Sequence, residues 1–358
     1  MPLSKLSIKN FRCFHDIEVE LSPGINFFYG ANGSGKTSLL EAIFLFSSGK
    51  SFKSSDLTSL IKYNSQGFKL KAFENNKGHV IEIEKAQSKS IKALLNNKKI
   101  VRSELVKELP SSVIHNETFS FASASPDFRR RLLDRSIFIA EQNFSTTWFA
   151  FYRALKQRNQ LLKNDRISDT YPWNEKIFIE GNKLNELRKI FFNRTLLEFN
   201  SIVNEINISE FFNFFNYISI EYYQGWDNAF SLEDIIEKNK NKDSIRKTTS
   251  QGPHRCDIKF QINNVDARQV LSRGEQKFFS ILWSCAQHNV LKKNYMIEAT
   301  LIIDDIKSEL DEKVFSLLIE HLKIYKNQTI FSCIEDCFSS KMFSNNIQFK
   351  KFHVEQLR

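Results

Sequence analysis

Apolar and polar positions alternate at the start of the chain. Residues 3 to 9 set Leu6 and Ile8 against Lys5, Ser7 and Lys9, which predicts a short strand ended by Asn10, Phe11 and Arg12. Ile17, Val19 and Leu21 alternate with Glu18 and Glu20, the pattern of a half-buried antiparallel strand. Ile25 to Tyr29 is a continuous apolar run and predicts a buried strand, and Ser38 to Phe46 reads as a buried helix. Phe68, Leu70 and Ala72, then Val80, Ile81 and Ile83, predict a hairpin around Asn75-Asn76-Lys77-Gly78.

The period changes in the middle of the chain. From about Pro126 to Lys163, and from about Trp173 to Glu205, apolar residues recur every three or four positions and glycine is nearly absent. Phe149, Tyr152, Leu155 and Leu162 mark the first run, and Leu184, Leu187, Phe191 and Phe199 the second. Each predicts a long amphipathic helix, with a polar turn at Asp165 to Pro172. The pair reads as an inserted helical hairpin arm or as two further core helices, and thirty helical residues span about 45 Å. Glu237 to Thr249 is rich in Lys, Asn and Asp and reads as an exposed linker or loop. Alternation returns at Cys256 to Ile262, expected to complete the first sheet. The expected organisation is therefore 1–122 and 246–358 as two halves of a split head, with 123–245 as the arm.

Between the first apolar run and its helix, residues 30 to 37 read Gly-Ala-Asn-Gly-Ser-Gly-Lys-Thr, a complete phosphate-binding loop. Gly30, Gly33 and Gly35 allow a tight bend that turns successive N–H groups inward, with Ala31, Asn32, Ser34 and Ser38 completing the cradle. The following helix adds the positive end of its dipole. Lys36 is expected on the β- and γ-phosphates of ATP, and Thr37 on Mg²⁺. A chance glycine-rich turn would not sit between a strand and a helix with every position matched.

Leu301-Ile302-Ile303-Asp304-Asp305 is an apolar run ending in two carboxylates, a Walker B strand. Asp304 is expected to hold Mg²⁺ and Asp305 to polarise the attacking water. Ser308-Glu309-Leu310-Asp311 reads as a D-loop. Some 30 residues before the Walker B strand, Ser272, Arg273, Gly274 and Glu275 open a helix and match the signature of ABC-type ATPases, whose sites form between two heads. A capped surface helix would also explain Ser272 and Gly274.

Composition adds a partner class. The 51 Lys and Arg exceed the 41 Asp and Glu, a net charge of +10, which favours a polyanion such as nucleic acid. Lys50, Lys53, Arg129, Arg130 and Arg131 are candidate phosphate contacts on DNA; intramolecular salt bridges are the competing assignment for the three arginines. No run reaches the length of a membrane span and the N-terminus lacks a signal-peptide pattern. Cys333 and Cys337 lack a second ligand pair, so free thiols in a reducing cytoplasm are the simpler expectation.

Together these segments resemble the RecF family, SMC-like ABC-type ATPases. Besides the loop, signature, Walker B and D-loop, the resemblance rests on Lys9-Asn10-Phe11-Arg12, Leu39 to Ile43, Gly49 to Phe52, Ser125 to Asp134, Gly252-Pro253-His254-Arg255 and Asp304 to Asp311. It implies an α/β fold: a split ABC-type P-loop ATPase head with an antiparallel β-rich subdomain and an inserted helical arm. It further implies an ATP-dependent homodimer, slow DNA-stimulated hydrolysis, duplex or gapped DNA as ligand, and RecR, RecO and RecA-type proteins as partners. Ser332 and Cys333 stand where the family carries threonine. On that segment rests an alternative, a weakly hydrolysing ATP-bound scaffold for DNA and proteins. The ATPase subunit of a membrane transporter shares the signature but not the arm or the basic charge.

Overall fold

The computed structural model describes residues 2–75, 77–115, 121–205, 207–208, 212–308, 310–324, 327–336 and 348–357. Asn76 of the expected hairpin turn, Glu309 of the D-loop and Cys337 lie outside them. Two compact units are present, one of residues 1–119 with 291–358 and one of 120–290.

The first unit begins with β1 (Leu3–Phe11) and β2 (Phe14–Glu20), paired antiparallel as the alternation predicts. Asn10 and Arg12 both take φ near 53°, the left-handed region that turns the chain. β3 (Ile25–Tyr29) and α1 (Lys36–Ser48) flank the glycine-rich loop. β4 (Gly67–Glu74) and β5 (His79–Ala86) form the expected hairpin, with Leu70 opposite Ile83 and Ala72 opposite Ile81. With β6 (Lys92–Leu95) and β7 (Lys98–Lys99) they make a six-stranded sheet in the order β2-β1-β4-β5-β6-β7. After α2 (Arg102–Glu108), β8 (Ser111–Ile114) belongs to a different sheet.

The second unit carries the arm. The first helical run is two helices, α3 (Pro126–Ala140) and α4 (Phe144–Lys163), because Glu141 turns extended and the polar triplet Glu141-Gln142-Asn143 has no apolar side to continue the stripe. α5 (Tyr171–Glu205) is a single 35-residue helix packed along α4. Its stripe Ile177, Leu184, Phe191 and Phe199 is buried. The expected linker at 237–249 is instead largely helical. After β9 (Ile218–Tyr223) come α6 (Leu232–Lys238) and α7 (Lys240–Arg246). Asp243 is buried there because Arg158, itself 1% exposed, donates to it at 2.8 Å. Buried charges persist when paired and hydrogen-bonded, and Asn174 and Thr249 take further Arg158 donors.

Residues 246–290, assigned from sequence to the second half of the head, cluster with the arm. β10 (Asp257–Ile262) pairs antiparallel with β9 and with β11 (Val265–Asp266), so it builds its own three-stranded sheet. The short α8 (Ala267–Val270) leads to α9 (Arg273–Tyr295), whose Phe279 and Trp283 pack against Phe199 and Phe260. This aromatic core, rather than continuity with the first sheet, decides where the segment belongs.

The chain then returns to the first unit with β12 (Thr300–Ile303), α10 (Glu312–Ile324), β13 (Thr329–Cys333) and β14 (Phe349–His353). These join β3 and β8 in a parallel sheet ordered β14-β3-β13-β12-β8. α1 is buried on nearly every side because its core cluster draws Leu6, Ile8, Leu70 and Ile81 from the antiparallel sheet and Ile302 and Ile330 from the parallel one. Gln328 clasps the unit. Its Nε2 donates to the carbonyls of Leu3 and Ser22 at 2.7 and 2.8 Å, and its Oε1 accepts from the Leu3 amide at 2.9 Å.

Candidate nucleotide site

The loop after β3 bends through three glycines with positive φ, 151° at Gly30, 81° at Gly33 and 111° at Gly35. At Gly35 a side chain is disfavoured twice over. The dihedral disfavours it, and a Cβ would lie 2.7 Å from Cys13 Sγ and 2.8 Å from a Phe14 ring carbon. Gly35 is also the N-cap of α1, without a side-chain cap. The first-turn amides are therefore left to an anion from outside the helix. Lys36, 8% exposed, arches over the loop and donates to the carbonyls of Gly30 and Ala31 at 2.6 and 2.9 Å. An ammonium has three donors, so one N–H remains for a phosphate oxygen.

Strand order places the second half of the site. β13 lies between the loop strand β3 and the Walker B strand β12. Asp304 and Asp305 leave the end of β12, and Thr37 Oγ1 donates to Asp304 Oδ1 at 3.3 Å. Ser332, fully buried on β13, donates to the same Asp304 oxygen at 2.7 Å and accepts from the Asp305 amide at 2.9 Å. Asp305 holds φ at 51°, a left-handed conformation costing about 1–2 kcal/mol for a residue with a side chain. Arg12, Lys36, Thr37, Lys53, Asp304 and Asp305 line one cavity of about 530 Å³. Exposed Asn32 and Gly33 also line it, as does Ser38, which follows Thr37 along α1; Ala31 is exposed on the loop beside them.

The donor set suits magnesium. A threonine hydroxyl and a carboxylate within hydrogen-bonding reach are hard oxygen ligands. Ser34 Oγ is buried with no hydrogen-bond partner among the described residues, a polar atom left over within the loop itself. Thr37 and Asp304 would hold the ion, which would supply positive charge against the phosphates.

Several contacts around the cavity join residues far apart in the chain. The Arg12 guanidinium is clamped by both oxygens of Glu41 at 2.9 and 3.1 Å, which fixes a cation at the cavity wall. The Glu355 carboxylate accepts from the Ala31 amide at 3.1 Å and pairs with His353 at 2.8 Å. Lys53, considered from sequence as a DNA contact, lines the nucleotide cavity and also a neighbouring one of about 490 Å³ shared with Lys50.

The signature residues lie in the second unit. Ser272 precedes α9, and its amide and hydroxyl both donate to Glu275 Oε2, at 2.8 and 2.7 Å. The Glu275 amide donates back to Ser272 Oγ at 3.3 Å, completing a capping box. Arg273 is exposed and Gly274 half-buried. The three arginines of α3 divide. Arg129 is fixed by both oxygens of Asp257 at 2.8 and 2.7 Å, and Arg130 donates to the Cys256 carbonyl at 2.7 Å. Arg131, 69% exposed, holds Asp127 one turn away and stays open to solvent. No cluster suited to a metal of the His/Cys/Asp/Glu type occurs among the described residues, and no described helix is long and apolar enough to cross a membrane. Burial pushes the Cys285 thiol up to about 12, which makes it inert.

The RecF/RecN/SMC N-terminal domain family matches residues 2–356. The DNA replication and repair protein RecF of Nitrosococcus oceani is 31% identical over 361 residues, covering 99% of this chain and 98% of the relative. The Shewanella denitrificans protein of that name is 31% identical over 362 residues, covering 100% and 99%. A solved structure of the recombination mediator protein RecF-ATPrS in the RecFOR pathway superposes with a TM-score of 0.80 at 22% identity, over 99% of this chain and 96% of that one. An Smc head bound to the C-winged helix domain of ScpA gives 0.55 at 16% identity, over 94% and 90%. These structures show the ABC-type ATPase fold, a mixed α/β head. With the loop, the Walker B carboxylates and the signature helix in place, the chain belongs to the RecF family of bacterial DNA replication and repair proteins.

Proposed function

We propose that this protein is an ATP-dependent, DNA-binding recombination mediator that dimerises on ATP and hydrolyses it slowly, faster on DNA. The carrying observation is the assembled half-site: Lys36 over the loop, and Thr37 and Ser332 on Asp304 beside Asp305. Loop amides and Lys36 bind the β- and γ-phosphates, and Asp305 takes the proton of the attacking water. Ser272, Arg273 and Gly274 meet the γ-phosphate held by a second copy as Glu275 gives way, so ATP stabilises the dimer by binding that state better. Hydrolysis removes that contact and the dimer opens. The relatives' names support a role in DNA replication and repair, and the RecFOR-pathway structure one in recombination. To that role the proposal adds duplex DNA near single-strand gaps as ligand, with RecR, RecO and RecA-type proteins as partners. Lys50, Lys53 and Arg131 are the candidate DNA contacts that the fold leaves on the surface or at a cavity rim. A cytoplasmic location follows from that role.

The test is ATP turnover at rising protein concentration, with and without duplex DNA, using Lys36→Met as the blank. A rate per subunit that rises with concentration and with DNA supports the reading. A flat rate at the blank level despite DNA binding overturns it.

A further inference from the structure

The alternative of a weakly hydrolysing scaffold rests on the segment around Ser332 and Cys333, and the geometry gives Ser332 a place beside the carboxylates. β13 pairs with β3 on one side, Ser332 opposite Phe28, and with β12 on the other, Phe331 opposite Ile303. Ser332 is thus held between the phosphate-binding loop and the Walker B carboxylates by two parallel ladders, and it is fully buried. Two of its groups make three hydrogen bonds to the turn that carries those carboxylates. The hydroxyl donates to Asp304 Oδ1 at 2.7 Å and accepts from the Asp305 amide at 2.9 Å, and the Ser332 carbonyl accepts from the Ile306 amide at 3.0 Å.

We infer that Ser332 is the positioning residue of the magnesium and water carboxylates, setting Asp304 for the ion and Asp305 for the nucleophile. The hydroxyl has one proton, and it goes to Asp304; its lone pair takes the Asp305 amide. One side chain therefore fixes the rotamer of the first carboxylate and the backbone of the second. Thr37 addresses the same Asp304 oxygen at the longer distance of 3.3 Å, so Ser332 makes the shorter of the two contacts. Asp305 keeps its left-handed φ because both its own amide and the next are tied to β13. Outer hydrogen-bond partners of a metal-binding carboxylate control its affinity for the ion. The role rests on the proposed ATP site and adds to it a residue outside the lining of the nucleotide cavity.

The experiment compares wild type, Ser332→Ala and Ser332→Thr, the last keeping the hydroxyl. Mn²⁺ stands in for Mg²⁺, and its dissociation constant from the protein–ATP complex is read by electron paramagnetic resonance. ATP affinity in excess EDTA, turnover and the thermal unfolding midpoint are recorded alongside. Ser332→Ala is expected to weaken Mn²⁺ about 10-fold or more while metal-free ATP binding stays within about twofold, with Ser332→Thr near wild type. Turnover is expected to fall through kcat rather than KM. A lowered unfolding midpoint with unchanged Mn²⁺ affinity would make Ser332 merely structural and overturn the inference. Wild type that binds Mn²⁺ and ATP but turns over no faster than Lys36→Met overturns the ATPase reading, and the Mn²⁺ comparison still decides Ser332. Wild type without ATP-dependent Mn²⁺ binding overturns both.

Discussion

The helices α1 and α9 both begin at segments that the proposed function assigns to phosphate, yet they are capped in opposite ways. α1 starts from Gly35 with no side-chain cap, and its amides stay open beneath Lys36. α9 starts from Ser272 with the Glu275 carboxylate already on the Ser272 amide and hydroxyl. The first has no side-chain cap for its amides; the second is capped by its own carboxylate. A capping residue of this kind stabilises a helix by about 1 kcal/mol, so a phosphate at Ser272 must first displace Glu275. On the proposed function, ATP is captured first at the loop, and the signature engages only a phosphate presented by a second copy. Ligand binding and dimerisation are then ordered steps.

The largest effects fall on the open site. Lys36→Met should weaken nucleotide binding about 100-fold, as expected for losing hydrogen bonds from a charged donor, and a fluorescent ATP titration reads it. Gly35→Ala should damage the same site through backbone strain and the clash with Cys13 and Phe14. It should lower stability by about 2 kcal/mol or more in urea unfolding. Asp305→Asn should leave nucleotide binding within a few-fold while cutting turnover about 100-fold, so that ATP-bound dimers persist on DNA in a filter-binding chase.

Acid separates the two regions further. His254, in the unit that carries Ser272, keeps Nε2 at 3.0 Å from the Thr249 carbonyl, and burial pulls its pKa down to about 4. The unfolded chain protonates near 6.5 while the folded one stays neutral, so stability present above pH 6.5 is lost as pH falls towards 4. The loss approaches about 3 kcal/mol, and His254→Gln should flatten it in denaturation curves at pH 7 and pH 4.5. The smallest effect belongs to Glu275→Ala. It should cost about 1 kcal/mol of helix stability while emptying the signature of its internal anion. Dimers should then form at lower ATP in light scattering if displacement of Glu275 is the barrier.

The same contrast explains what could be read from the chain. The loop from Gly30 to Thr37 is contiguous and its chemistry is backbone chemistry, so eight residues in sequence specify it. The Walker B strand is legible because burial on both faces demands an unbroken apolar run ended by the carboxylates. The Ser332 contact is different: 28 residues separate it from Asp304, and strand order alone brings them together. The Arg158–Asp243 pair is a similar case. A polar stretch looked like a loop because a buried carboxylate can be recognised only with its partner arginine 85 residues away. Arg129 and Arg130 lay in a basic cluster whose two members fold inward against β10, while Arg131 alone of the three keeps its charge outward. The placement of 246–290 followed aromatic packing with the arm, which alternation within Cys256–Ile262 could not reveal.

The most direct measurement is the mass of the protein in solution with and without Mg²⁺-ATP, by sedimentation velocity, for wild type and Ser272→Arg, with nucleotide binding measured on the same samples. The account predicts that wild type doubles its mass on ATP, whereas Ser272→Arg binds ATP equally well and stays a monomer. A Ser272→Arg protein that dimerises on ATP as wild type does would contradict the division of labour between the open and the filled helix.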